Sequence, residues 1–353
     1  MKILNLNNKR FKLPIFLPDA TLGKIKYLTS RDLKKSGTEG VVVNIFHLLK
    51  NNLIKKIKRE GIHEYMKFNG LIISDSGGFQ IMSLLHKNPN LGKIEKDKVI
   101  FFIDKKRIIL TPEECIRLQI KIKSDIIMCL DECTYPSYNY KKQKESVERT
   151  IFWARKCKKE FEKITKNKKE RPLLFAIIQG GNNKKLRKFC AEELIKIGFD
   201  GYAYGGFPIK KGKLMTEMLE YVSKLIPNNK IKYAMGIGKP QDIIECRKIG
   251  YDLFDCVIPT RDARHKRLFV FTKKPNKKNL LNSFETINIR KKYCNQKKIS
   301  KYCDCELCKK YTRKNFINLF KNDKEEAFRL ATLHNLTFYS SLTKILKKKY
   351  IKY

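Results

Sequence analysis

Short, nearly uninterrupted apolar runs alternate along much of this chain with longer stretches whose apolar residues recur every three or four positions. The runs that predict strands are 71–75 (LIISD), 125–132 (DIIMCLDE), 173–180 (LLFAIIQG), 201–206 (GYAYGG), 232–238 (KYAMGIG) and 253–260 (LFDCVIPT). Between the second and third of these, Val147, Ile151, Ala154, Cys157, Phe161 and Ile164 mark one face of a helix, with lysines and glutamates on the others. Shorter helices fit 184–197, 213–225 and 241–249. Strands without polar alternation that are separated by amphipathic helices predict a parallel sheet covered by helices.

Such a sheet can be open and doubly wound, or closed into a (β/α)8 TIM barrel. The first predicted strand runs into SGGFQ, not into a dinucleotide-binding G-x-G-x-x-G turn. Polar residues favour the barrel: Asp75, Asp131, Gln179, Gly206, Gly236 and Asp255 each fall at or near the end of a different predicted strand. In a barrel those ends converge on one face, where active sites are built. After Lys273 the alternation fades until a helical run begins near Asp323. The predicted organisation is a barrel over 1–273, a second module with closing helices over 274–340, and a basic tail over 341–353.

Composition narrows the class. With 353 residues and 42% hydrophobic residues, a large core is within reach. No apolar run approaches a bilayer span, and the start of the chain has no signal-peptide apolar region, so the expectation is a soluble cytoplasmic protein without membrane partners. Lys and Arg number 78 against 35 Asp and Glu, a formal charge of +43. That excess suits a nucleic-acid partner, but a lysine-rich solvated surface would show the same number. Most of the 11 cysteines stand singly in apolar surroundings, which argues for a reducing compartment over a disulfide framework. The exception is Cys303-x-Cys305-x-x-Cys308. With His334 from the later helical run it predicts a closed structural zinc site, three thiolates and one imidazole.

The chemistry concentrates at the strand ends. In SDSGGFQ (74–80), Asp75 ends a strand, Gly77 and Gly78 allow close backbone approach, and Phe79 can stack on a planar base. Asp131 and Asp255 add two more carboxylates. Cleavage of an N-glycosidic bond calls for one carboxylate to attack the sugar centre and another to manage the proton of the leaving base. A further carboxylate suits the N1–H and amino edge of guanine, and an amide with a backbone N–H suits its O6.

In order along the chain stand SDSGGFQ, DEC (131–133), QGG (179–181), MGIGKP (235–240), FDCVIPTRDAR (254–264) and the C-x-C-x-x-C…H set. Together they resemble bacterial tRNA-guanine transglycosylases, also called queuine tRNA-ribosyltransferases, from about Pro14 to about Tyr339. The resemblance implies a TIM barrel with an inserted zinc-binding subdomain, a homodimer, and pentosyltransferase activity. The implied reaction replaces guanine at the wobble position of G-U-N tRNAs with a free 7-deazaguanine by ping-pong double displacement. By resemblance, Asp255 is the nucleophile and Asp75 the general acid/base. Ser76, Gly77, Gly78, Asp131, Gln179 and Gly206 bind the base, and Phe79 and Met235 sandwich it. Two segments contact tRNA: Gly236, Ile237, Gly238, Lys239, Pro240, Gln241 and Asp242, then Thr260, Arg261, Asp262, Ala263 and Arg264. Cys303, Cys305, Cys308 and His334 hold Zn2+.

Three segments depart from the pattern. The usual GG-L-A-V-G-E continues here as Phe207-Pro208-Ile209-Lys210-Lys211-Gly212, so a lysine stands near the place of the glutamate that supports binding of the incoming base's aminomethyl group. That departure leaves the second base open, with preQ1 the default and queuine or another deazaguanine the alternatives. N-T-Y-H reads Asn44-Ile45-Phe46-His47, with His47 expected to pack, and R-N-G reads Arg264-His265-Lys266. The competing readings are a catalytically silent tRNA-binding partner subunit, an archaeal-type relative acting on the D-arm, and an unrelated barrel glycosidase.

Overall fold

The computed structural model describes residues 2–6, 9–103, 106–289 and 296–348. Eight short strands form one parallel sheet: β1 (Ile15–Pro18), β2 (Gly40–Asn44), β3 (Leu71–Asp75), β4 (Ile126–Met128), β5 (Leu173–Ile178), β6 (Gly201–Tyr204), β7 (Ile231–Ala234) and β8 (Leu253–Cys256). Strands β2 to β8 pair in chain order, and β8 pairs with β1. The last seam closes through a parallel bridge between Asp19 and Val42, with Ala20 N donating to Val42 O at 2.8 Å. The result is the predicted (β/α)8 barrel.

Strand alternation sorts the side chains into two cores. Ile15, Leu17, Leu71, Ile73, Met128, Phe175, Ile177, Tyr233 and Leu253 fill the lumen. The N-terminal hairpin of Ile3–Leu6 and Lys9–Lys12 adds Leu4 and Leu6 to the same cluster and plugs it. The alternate residues, such as Val41, Val43, Ile72, Ile127, Ala176 and Tyr204, pack outward against the helices. The predicted stripe on helix Tyr140–Thr165 is buried at Val147, Ile151, Ala154, Cys157 and Phe161, while Ile164 sits at its edge. Asn139 and Asn183 accept bonds from the first turns of the helices they begin, which fixes where those helices start.

Strands β1 and β2 and the N-terminal hairpin lie outside the sequence reading, and so do two further features. An antiparallel sheet of Gly92–Ile94, Val99–Ile103 and Lys106–Leu110 is inserted between β3 and β4. The second is the source of the eighth helix. After β8 the chain forms helix Ile258–Arg264 and an antiparallel pair, Arg267–Phe271 with Phe284–Asn288, then helices Glu306–Lys310 and Arg313–Asn322. Only then does helix Lys324–Lys347 return to pack on β1 between helices Ser30–Ser36 and Pro240–Lys248. The second module is thus an insertion between the last strand and the helix that covers it. That helix runs unbroken across position 341, where the sequence reading began a tail, and 349–353 fall outside the described residues.

Candidate active site and metal centre

The C-terminal strand ends place the predicted residues around one mouth. Asp255 lies within β8 and Asp75 closes β3, while Gln179, Gly206 and Met235 follow β5, β6 and β7 within two residues. Tyr233 Oη donates to Asp255 Oδ1 at 2.7 Å, and Gly236 N donates to the same oxygen at 3.0 Å. Asn44 Nδ2, from the end of β2, donates to Asp75 Oδ2 at 2.6 Å and to Gln80 Oε1 at 3.0 Å. Gln179 Nε2 donates to Asp131 Oδ2 at 2.6 Å.

Close packing enforces the glycines. A Cβ on Gly78 would sit 2.5 Å from Asp131 Oδ1, and one on Gly205 would sit 2.5 Å from Gln179 Nε2. Behind them, the fully buried Arg187 guanidinium donates to the carbonyls of Ile178, Gly181 and Gly205, and lies 4.1 Å from the centroid of the Tyr204 ring. One side chain therefore ties the ends of β5 and β6 together.

Three acids in one mouth do not ionise alike. Burial, reinforced by the charges of Asp131 and Asp255, pushes Asp75 up to about 8. Burial pushes Asp255 up to about 6, against the opposing bonds from Gly236 and Tyr233. Asp131 is pushed up to about 6 by burial, with the Gln179 bond opposing. At neutral pH the arrangement holds Asp75 mostly protonated and Asp255 mostly ionised, a proton donor beside a carboxylate. A cavity of about 140 Å³ opens between them; Asn44, His47, Tyr233 and Met235 also line it. Asp131, Gln179 and Gly206 stand apart from that cavity.

The remaining predicted residues divide by exposure. Ser76 is buried and bonds Asp131, and Phe79 is 44% exposed with its ring centroid 5.6 Å from that of Phe207. Phe207 also stacks on Tyr135 at 5.2 Å, so the departing segment begins with an aromatic contact at the mouth. Lys211 and Gly212, both at positive φ, form the turn of the hairpin Ile209–Lys210 with Lys213–Leu214, and Lys211 is exposed. Of the two predicted tRNA segments, Ile237, Pro240, Thr260, Asp262 and Ala263 have buried side chains. Gly236, Lys239, Gln241 and Arg261 are exposed, and Asp242 and Arg264 are half-buried. Sequence reasoning missed Asn44, Tyr233 and Arg187 as site residues. Tyr233 was within reach, because it lies two positions before Met235 and so points to the same side of its strand. His47, expected to pack, lines the cavity.

The candidate metal centre bridges the inserted module and helix Lys324–Lys347. Among the described residues, Cys303, Cys305, Cys308 and His334 offer ligand atoms all within 4.8 Å of one another. His334 Nδ1 lies 3.7, 3.4 and 3.3 Å from the three Sγ atoms in that order. Tetrahedral zinc with ordinary bond lengths requires about 3.6 Å between sulfur and nitrogen. His334 Nε2 is 2.9 Å from Phe269 O, which fixes the tautomer and leaves Nδ1 for a metal. Neighbouring thiols Cys305 and Cys308 hold the Cys303 thiol far below its usual range. These residues fit a structural metal ion with no open position.

Comparison with known proteins agrees along nearly the whole chain. A family model described as Queuine tRNA-ribosyltransferase matches residues 1–352. A protein named Queuine tRNA-ribosyltransferase from Buchnera aphidicola subsp. Schizaphis graminum (strain Sg) is 38% identical over 344 residues, covering 96% of this chain and 89% of its own length. Proteins of the same name from Blochmanniella pennsylvanica (strain BPEN) and Acinetobacter baumannii (strain SDF) are 40% and 37% identical, covering 95% and 96% of this chain and 87% of each relative. Barrel, clustered carboxylates and metal-ligand set agree with that likeness, and the chain belongs to the queuine tRNA-ribosyltransferase family and is a pentosyltransferase.

Proposed function

We propose that this enzyme exchanges guanine at the wobble position of G-U-N tRNAs for a 7-deazaguanine, with preQ1 the default base and queuine the alternative. The observation that best supports the reading is the pair of acids, Asp75 pushed up to about 8 and Asp255 to about 6, facing one cavity. A nucleotide flipped from the single-stranded anticodon loop enters the mouth. Asp131, Gln179 and Gly206, with Ser76, Gly77 and Gly78, hold the base, and Phe79 and Met235 cover its faces. The oxygen of Asp255 that Tyr233 and Gly236 do not engage attacks C1′ as the bond from C1′ to the base nitrogen breaks. Asp75 gives its proton to that nitrogen, so guanine leaves neutral. The incoming base then gives its N–H proton to the Asp75 carboxylate as its nitrogen attacks C1′, and Asp255 departs as a carboxylate. Two inversions retain configuration, as in retaining glycosidases.

Backbone of the buried stretches in 236–242 and 260–264, together with exposed Lys239 and Arg261, would meet the RNA. Zn2+ on Cys303, Cys305, Cys308 and His334 would hold the inserted module to helix Lys324–Lys347 and take no part in the reaction. A homodimer in the cytoplasm completes the reading. The test is exchange of labelled guanine into an unmodified G-U-N tRNA, with preQ1 and queuine as chase bases. Asp255→Asn should lose at least about a thousandfold in rate. Equal incorporation by wild type and Asp255→Asn would overturn the assignment of the nucleophile, and tight tRNA binding without incorporation would overturn the activity.

A further inference from the structure

The strand ends divide the mouth into two sectors. β4 to β7 present Asp131, Gln179, Gly206 and Met235, the groups given above to the base. The seam between β8 and β2 presents Asp19 and Thr21, to which the proposed mechanism gives no task. Pro18 of β1 is in register with Cys256 of β8, so Asp19, the next residue, flanks Asp255 at this seam. It lines the cavity of about 140 Å³ with Asp75 and Asp255. It also lines a second cavity, of about 480 Å³, with Lys24, Lys26 and Arg264. The two cavities meet at Asp19, Thr21 and Val257.

The Thr21 hydroxyl donates to Asp19 Oδ1, which accounts for the local turn. It does not account for a carboxylate set beside the nucleophile, where burial pushes Asp19 up and its charge in turn pushes Asp255 up. Bonds from Thr21 and the charges of His47 and Arg264 oppose that rise without cancelling it, so a further incoming donor would stabilise the carboxylate.

We propose that Asp19 accepts the 2′-hydroxyl of the exchanged nucleotide, so that the enzyme selects ribose over deoxyribose at that position. The inference rests on the proposed function. If the base lies against β4 to β7 and C1′ faces Asp255, the sugar must lie over the remaining sector, β8 to β2. The 2′-hydroxyl sits one carbon from C1′ and is a donor. A carboxylate has about four acceptor positions, more than Thr21 fills. The adjoining phosphate then enters the outer cavity beside Lys24, Lys26 and Arg264. A bond to the 2-hydroxyl of a sugar tightens as positive charge develops at C1′, so Asp19 would act on the rate as well as on binding.

The test uses two anticodon stem-loops that differ only in carrying guanosine or 2′-deoxyguanosine at the exchanged position, with guanine exchange as the readout. Wild type should favour the ribose form in kcat/KM by roughly ten- to a hundredfold. Asp19→Val should lose that factor on the ribose form only, bringing the ratio near one. Asp19→Asn keeps the volume and an acceptor oxygen, so it should fall between. A wild-type ratio retained in both variants, whatever their total activity, overturns the inference. Should Asp19→Val fail to fold, the ratio for Asp19→Asn decides. Absence of exchange by wild type on the ribose stem-loop would instead remove the proposed function, and this inference with it.

Discussion

Asp75 shows how one buried side chain can carry opposite demands. Its carboxyl is pushed up to about 8, while Asp255 is pushed up to about 6, both chiefly by burial. If Asp255 attacks ionised and Asp75 first acts protonated, kcat/KM should rise through about pH 6 and fall above about pH 8. Asp75→Asn should be strongly impaired and lack the upper limb; a variant that keeps it would assign that limb elsewhere. Stability makes an independent prediction. A carboxyl raised on folding binds its proton more tightly in the folded state, so its contribution is fully present below the unfolded pKa and is lost as pH rises through about 8. Replacement by the neutral amide should therefore raise Tm, and raise it more at pH 9 than at pH 5. Thermal unfolding of both proteins at the two pH values checks the sign, and an equal shift at both would separate the effect from ionisation.

At the scale of elements, the metal centre joins pieces that are remote in sequence. Cys303, Cys305 and Cys308 lie on and before the short helix Glu306–Lys310, whereas His334 belongs to the helix that covers β1. Tyr339 of that helix places its ring 4.4 Å from that of Phe16 in β1. Cys308→Ser should therefore lose about one metal ion per chain, zinc in the proposed reading, and lower Tm, and faster amide exchange should spread from 303–310 into 324–347. Full zinc content in the variant would remove Cys308 from the ligand set.

The ligand set was legible because three tightly spaced thiols with a later histidine match the donor set of a closed metal site, and the six later barrel strands were legible as apolar runs ending in polar groups. β1 and β2 were not. Four or five fully buried residues carry no alternation, and Pro18-Asp19 read locally suggests a turn. With β1 unread, Asp19 could not be placed at a strand end, and Asn44 at the end of β2 was missed likewise. The origin of the eighth helix was also hidden, because only packing shows that 324–347 completes a barrel whose last strand ends at 256.

For the whole molecule the open quantity is charge. A formal +43 far exceeds what one anticodon loop can engage, and many lysines pair with nearby glutamates, as Lys144 does with Glu148 and Lys188 with Glu192. Exposed pairs of this kind contribute little to stability and serve mainly to keep the surface solvated. RNA binding should then depend on a small subset near the mouth, including Lys24, Lys26, Lys239, Arg261 and Arg264. If about six phosphates are neutralised, tRNA affinity should fall roughly a thousandfold between 50 and 200 mM salt. Arg261→Ala should reduce the slope of log K against log salt by about one, whereas Lys188→Ala on the flank of the barrel should leave it unchanged. A slope that responds equally to both replacements would mean that the surface binds RNA as a diffuse positive field, with the site contributing base recognition and chemistry but little of the affinity. A slope that responds only near the mouth would confine RNA recognition to the face where the strand ends meet, and would leave most of the lysine excess as solvated surface.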